Sequence, residues 1–137
     1  MTKINTVLLV DDDEINNFIN GRLLNSLDIA QDVRIVKNGQ EALKFIGNKC
    51  RTEDNKICPE LILLDQNMPV MDGVEFLEEF NKLDFSNKDD VVIIMLSAAS
   101  EPADKSKIET LGISGFMIKP LTKESVLEVY KKHFVLH

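Results

Sequence analysis

Three short, uninterrupted apolar runs constrain this chain more than any other feature: TVLLV at Thr6–Val10, LILL at Leu61–Leu64 and VVIIML at Val91–Leu96. Each is too short for a typical globular helix. A half-solvated strand alternates apolar with polar residues, whereas a run apolar at every position belongs to a strand covered on both faces. Both faces are covered when parallel strands are joined by crossover helices, so such a chain must supply helices between its runs.

The segments between the runs have that character. From Glu14 to Leu27 the apolar residues Ile15, Phe18, Ile19, Leu23, Leu24 and Leu27 recur at helical spacing. Asp32–Val36 reads as a further strand, Asn38-Gly39 as punctuation and Gln40–Asn48 as a helix. Lys49–Pro59 is polar and aperiodic and reads as a loop. Turn residues follow Leu64 at once, and Asp72-Gly73 opens a helix to Leu83 with Val74, Leu77 and Phe80 on one side. A helix is expected over Ala103–Leu111, stopped by Gly112. Gly115–Ile118 is a last short strand, and Thr122 caps a closing helix to Phe134. Five β-α units in succession predict an α/β fold over residues 1–137 as a single domain. The expected sheet is five-stranded and parallel, with order 2-1-3-4-5, right-handed crossovers and helices on both faces.

Composition narrows the functions open to such a fold. The 137 residues are 44% hydrophobic and 28% charged, the balance of a globular domain with a real core. The net charge of −7 argues against a nucleic-acid partner, since no excess of cations is present to neutralise phosphates. No apolar run is long enough to span a membrane, and Met1-Thr2-Lys3 leads directly into a strand without a signal peptide, so a cytoplasmic protein is expected. In that compartment Cys50 and Cys58 are expected to stay reduced, and without a nearby histidine they make no zinc site.

In a doubly wound sheet, ligands bind beyond the carboxyl ends of the strands. The residues at those ends are chemically selective: Asp11, Asp12 and Asp13 after the first strand, Asp65 after the third, Ser97 after the fourth and Lys119 after the fifth. Adjacent carboxylates repel, and at least one resists ionisation unless a cation is bound. Oxygen donors of this kind suit Mg²⁺. A hydroxyl and an ammonium facing the cluster would hold the oxygens of a phosphoryl group, and positioning with positive charge is most of what phosphoryl transfer requires. Asp65 is then the nucleophile, forming an aspartyl phosphate.

With these residues in place, the chain resembles the receiver domain of two-component response regulators, of the chemotaxis CheY-like, stand-alone type. The resemblance runs from Thr6 to Phe134 and rests on VLLVDDD, LILLDQNMPVMDG, IIMLSA and GFMIKP, specific jointly rather than singly. It implies a flavodoxin-like fold and a switch that accepts a phosphoryl group on Asp65 from a histidine kinase or histidine phosphotransfer protein. It also implies assistance to the domain's own phosphorylation and dephosphorylation, and output through an unnamed downstream protein. Asp12 would be a direct Mg²⁺ ligand supported by Asp11, and Asn67 would offer its backbone carbonyl. Ser97 and Lys119 would bind phosphoryl oxygens. Ser97 and Phe116 would form the switch, and the Lys119-Pro120 bond would be cis. Phe116 stands where tyrosine is common, and the Lys49–Glu60 segment is longer than usual.

Plainer assignments compete for each residue. Asp11–Asp13 also suit a helix cap, Asp65 an Asx turn, Ser97 a loop serine, Lys119 a solvated lysine and Phe116 the core. None of these predicts that four of them share one sheet edge. Two whole-chain alternatives stand beside the receiver. One is a haloacid-dehalogenase-like Mg²⁺ phosphatase with Asp11 as nucleophile in an Asp11-x-Asp13 motif. The other is a degenerate receiver that only binds partners.

Overall fold

The computed structural model describes residues 3–50, 58–85, 88–100 and 104–135. Among these, β1 (Ile4–Val10), α1 (Glu14–Leu27), β2 (Ala30–Val36), α2 (Gly39–Lys49), β3 (Leu61–Asp65), α3 (Gly73–Phe80), β4 (Val92–Ser97), α4 (Lys105–Glu109), β5 (Gly115–Ile118) and α5 (Lys123–Phe134) follow in strict alternation. The strands form one parallel sheet of order β2-β1-β3-β4-β5, as expected. β1 and β2 begin earlier than their apolar runs because pairing extends to Ile4 opposite Ala30. The expected start of the fourth helix at Ala103 and most of the Lys49–Pro59 loop lie outside the described residues, and Lys49 itself closes α2.

The continuous apolar runs have the consequence anticipated for them. Leu8, Val10, Ile62, Leu64, Ile93 and Met95 face a layer carrying Ala42 and Ile46 of α2 and Phe76, Leu77 and Phe80 of α3. Their neighbours Val7, Leu9, Leu61, Leu63, Ile94 and Leu96 face the opposite layer, with Leu24 of α1 and Val126 and Tyr130 of α5. Two apolar half-cores thus lie back to back across the sheet.

Two local features depart from the sequence reading. The first is the orientation of α1. Its periodicity is helical, but Ile15, Phe18 and Ile19 are 72%, 64% and 57% exposed, while Asn17, Asn20, Gly21 and Leu24 are buried. The second is Cys50 and Cys58, which form a disulfide (S–S 2.06 Å) rather than staying as free thiols. Cys50 ends α2 and Cys58 precedes β3, and their Cα atoms lie 4.7 Å apart within the first half-core. No helix among the described residues is long and apolar enough to cross a membrane.

Candidate functional site

Strand register assembles the site. Val10 lies opposite Leu64, so the next residues, Asp11 and Asp65, leave neighbouring strands side by side. Asp65 pairs with Leu96, and Ser97 pairs with Ile118, which precedes Lys119. Backbone bonds pin these exits: Asp11 N–H donates to the Val36 carbonyl (3.1 Å), Gln66 N–H to Leu96 (2.9 Å) and Lys119 N–H to Ser97 (2.8 Å).

The acidic triplet after β1 is divided between two tasks. Asp13 caps α1, its carboxylate accepting from the amides of Ile15 (2.9 Å) and Asn16 (3.1 Å). Asp11 and Asp12 turn instead toward Asp65, and each of the three offers a carboxylate oxygen within 4.8 Å of the others. Asp11 and Asp65 are buried, and Asp12 is exposed. Desolvation by burial raises the Asp11 pKa to about 6 from an ordinary 3.8. The hydrogen bond from the Asp13 amide opposes this rise, and the charge of Asp65 reinforces it.

One cation is already committed to this cluster. Lys119 Nζ donates to Asp65 Oδ1 at 2.9 Å. Burial by itself would lower the Lys119 pKa, but the hydrogen bond and charge of Asp65, with the charges of Asp11 and Asp12, hold it above its ordinary value. Asn67 contributes its amide, which donates to Asp65 Oδ1 at 3.3 Å. The turn that carries Asn67 is tightly drawn. Gly73 N–H donates to the Gln66 carbonyl (3.1 Å), and a Cβ at Gly73 would sit 2.9 Å from the Asp65 carbonyl oxygen. Asp72 and Glu75 close a capping box at the start of α3.

Ser97 is buried at the end of β4, and the Lys119-Pro120 bond is cis. Phe116 lies in β5 opposite Met95, half-buried, with Lys105 Nζ 5.6 Å from its ring centroid. A cavity of about 290 Å³ opens beside the cluster, lined by Asn16, Ile19, Asn20, Lys119 and Pro120. Ile19, one residue of the exposed stripe of α1, therefore lies at the mouth of the site.

Two residues escaped the sequence reading. Val70 holds φ = 71° with its side chain 74% exposed; nothing in a Pro-Val-Met triplet announces a left-handed valine. Asn17 is buried and donates from Nδ2 to the Asp11 carbonyl at 2.8 Å. The available clue was a polar residue at an inward helical position, masked by the stronger apolar stripe on the other side.

The carboxylates fit a hard divalent cation: they supply oxygen donors alone, and Asp11 Oδ2 is buried with no partner among the described residues.

Comparison with known proteins agrees with this architecture. The family model for the response regulator receiver domain matches residues 7–131. Two-component response regulator 24 of Arabidopsis thaliana is 31% identical over 130 residues, covering 93% of this chain and 82% of that protein. Hybrid signal transduction histidine kinase B of Dictyostelium discoideum is 33% identical over 96% of this chain, which spans only 7% of the kinase. Among solved structures, a two-component response regulator from Legionella pneumophila superposes with a TM-score of 0.78 at 32% identity, covering 99% of this chain and 100% of that one. The chain therefore belongs to the response regulator receiver domains of two-component signalling.

Proposed function

We propose that this domain is a phosphorylation-activated switch in a phosphorelay, with Asp65 as the phosphoacceptor. The observation that carries the proposal is the 2.9 Å contact between Lys119 Nζ and Asp65 Oδ1 inside a cluster of three convergent carboxylates. Three carboxylates without a fixed cation would suit a metal-binding module as well. The lysine adds a donor for an incoming anion at the atom where chemistry is expected.

A histidine kinase or histidine phosphotransfer protein presents a phosphorylated imidazole. An Asp65 carboxylate oxygen attacks phosphorus in line, the O–P bond forms, the N–P bond breaks and the imidazole departs with the bond's electron pair, then takes up a proton. Lys119 shifts from the Asp65 carboxylate toward the phosphoryl oxygens, and the Ser97 hydroxyl donates to another. Asp11 and Asp12, with Asp65 and the Asn67 carbonyl, would hold Mg²⁺, which supplies positive charge to offset the approach of one anion to another. The same groups oriented on water return the aspartyl phosphate to inorganic phosphate, so the domain assists its own reset.

The donor docks on the exposed stripe Ile15, Phe18 and Ile19, because Ile19 of that stripe lines the cavity that Lys119 also lines. Output leaves by the face of α4, β5 and α5, with Ser97 and Phe116 linking it to the phosphoryl site. A downstream protein then reads the population shift, which requires phosphate to favour one conformer over the other.

The test is phosphorylation by acetyl phosphate with Mg²⁺, read by peptide mass spectrometry in wild type and Asp65→Asn. Modification of wild type at Asp65 and none in the variant is expected. Phosphate found on Asp11 would overturn the assignment in favour of a phosphatase-like nucleophile. That alternative is already weakened, because the second acid of its motif, Asp13, is committed to capping α1.

A further inference from the structure

Asn17 is a buried polar side chain of α1, bonded to the turn between β1 and α1, that the phosphoryl-transfer mechanism does not use. It is 5% exposed, on the inner face of a helix whose outer face carries three exposed apolar residues. Burying asparagine where leucine would fit is unfavourable unless its polar atoms are satisfied. They are only half satisfied. Nδ2 donates to the Asp11 carbonyl at 2.8 Å, and Oδ1 is buried with no partner among the described residues.

The satisfied half falls at a revealing place. The Asp11 carbonyl belongs to the peptide that joins Asp11 to Asp12, so the bond anchors the link between two of the three clustered carboxylates. Asp11 Oδ1 is held by the Asp13 amide at 3.0 Å, and the Asp11 amide is held by Val36. Asp12, exposed at the first bend after β1, depends on this peptide for its direction. Among the described residues Asn17 is what anchors that carbonyl, and without its bond the Asp12 carboxylate would explore more orientations before meeting a cation. Groups that orient metal ligands without touching the metal commonly change affinity tenfold or more.

We infer that Asn17 is a positioning residue of the cation site: its carboxamide fixes the Asp11–Asp12 peptide so that the three carboxylates are preorganised for a divalent ion. This rests on the proposal that Asp11, Asp12 and Asp65 bind Mg²⁺, and it adds a residue from outside the strand ends. The role differs from simple packing in a measurable way. A packing residue sets the stability of the metal-free fold, whereas a positioning residue also sets the metal dissociation constant.

The experiment is calorimetric Mg²⁺ titration of wild type, Asn17→Leu and Asn17→Gln, alongside thermal denaturation of each in EDTA. Leucine keeps the volume and removes the donor. Glutamine keeps the carboxamide but moves it by one methylene, and it carries the test if the leucine variant does not fold. The expected result is Mg²⁺ binding weakened about tenfold in Asn17→Leu and at least threefold in Asn17→Gln. Mg²⁺ dissociation constants within twofold of wild type in the folded variants, whatever happens to their melting temperatures, would overturn the inference while leaving the metal site standing. Absence of Mg²⁺ binding by wild type would remove both, so the two failures are distinguishable.

Discussion

The raised Asp11 pKa has a consequence for stability that can be worked through. In the metal-free fold the group titrates at about 6, against 3.8 for an ordinary aspartate. Each unit of difference corresponds to about 1.4 kcal/mol, so ionised Asp11 opposes folding by roughly 3 kcal/mol above pH 7. The folded state holds its proton more tightly than the unfolded chain between pH 4 and 6, so stability rises as pH falls through that window. Between pH 7.5 and pH 5 the gain from this group is about 1.4 kcal/mol, close to 5 °C in melting temperature for a domain of this size. Other groups titrate nearby; the lowered His133 pKa works in the opposite direction as pH falls, and the Lys119 shift acts only in strongly alkaline solution. Comparison with Asp11→Asn removes their contribution. The variant keeps an oxygen for the Asp13 amide and has no charge to desolvate. In EDTA it should be more stable than wild type at pH 7.5, by up to about 3 kcal/mol, and the difference should shrink by about 1.4 kcal/mol at pH 5. Urea denaturation at the two pH values measures both quantities. A wild type and variant whose stabilities change in parallel between pH 7.5 and pH 5 would refute the assignment of the shift to Asp11.

Two further substitutions test how the surrounding turns are built. Asp13→Ala removes the cap of α1 and should cost about 1 kcal/mol in urea denaturation, with the Mg²⁺ dissociation constant unchanged in calorimetry; a tenfold weaker dissociation constant would return Asp13 to the metal-binding set. Gly73→Ala places a methyl 2.9 Å from the Asp65 carbonyl oxygen and from Met95 Sδ. The methionine can move aside and the strand backbone cannot, so a loss of about 1–3 kcal/mol is expected, and a wild-type denaturation midpoint would show that the turn is free to shift.

The parts of this molecule that were legible in sequence are those where one physical requirement dominates. Leu61–Leu64 and Val91–Leu96 had to be interior parallel strands because nothing else buries both faces of so short a run. Asp65, Ser97 and Lys119 followed from strand ends alone, since parallel topology sends every carboxyl end to one edge. The orientation of α1 was not legible: periodicity defines a stripe but does not say which stripe meets the sheet, and Asn17 competes there against Ile15, Phe18 and Ile19. The roles of Asp11, Asp12 and Asp13 could not be separated either, because one backbone turn decides which carboxylates reach Asp65 and which one reaches the helix amides. The pairing of Cys50 with Cys58 needs the end of α2 to lie beside the residues just before β3, which no local pattern announces, and the expected compartment pointed the other way.

The outward stripe of α1 also bears on how copies of this domain behave toward one another. Ile15, Phe18 and Ile19 are exposed apolar residues, with the Arg22 guanidinium 5.7 Å from the Phe18 ring centroid, on a chain carrying a net charge of −7. At low salt that charge keeps copies from approaching closely enough for their strips to meet. At an ionic strength of 0.15 M the repulsion decays over about 8 Å, and at 1 M over about 3 Å. A partner docking on this stripe as proposed would meet that negative field and would bind best with complementary positive charge.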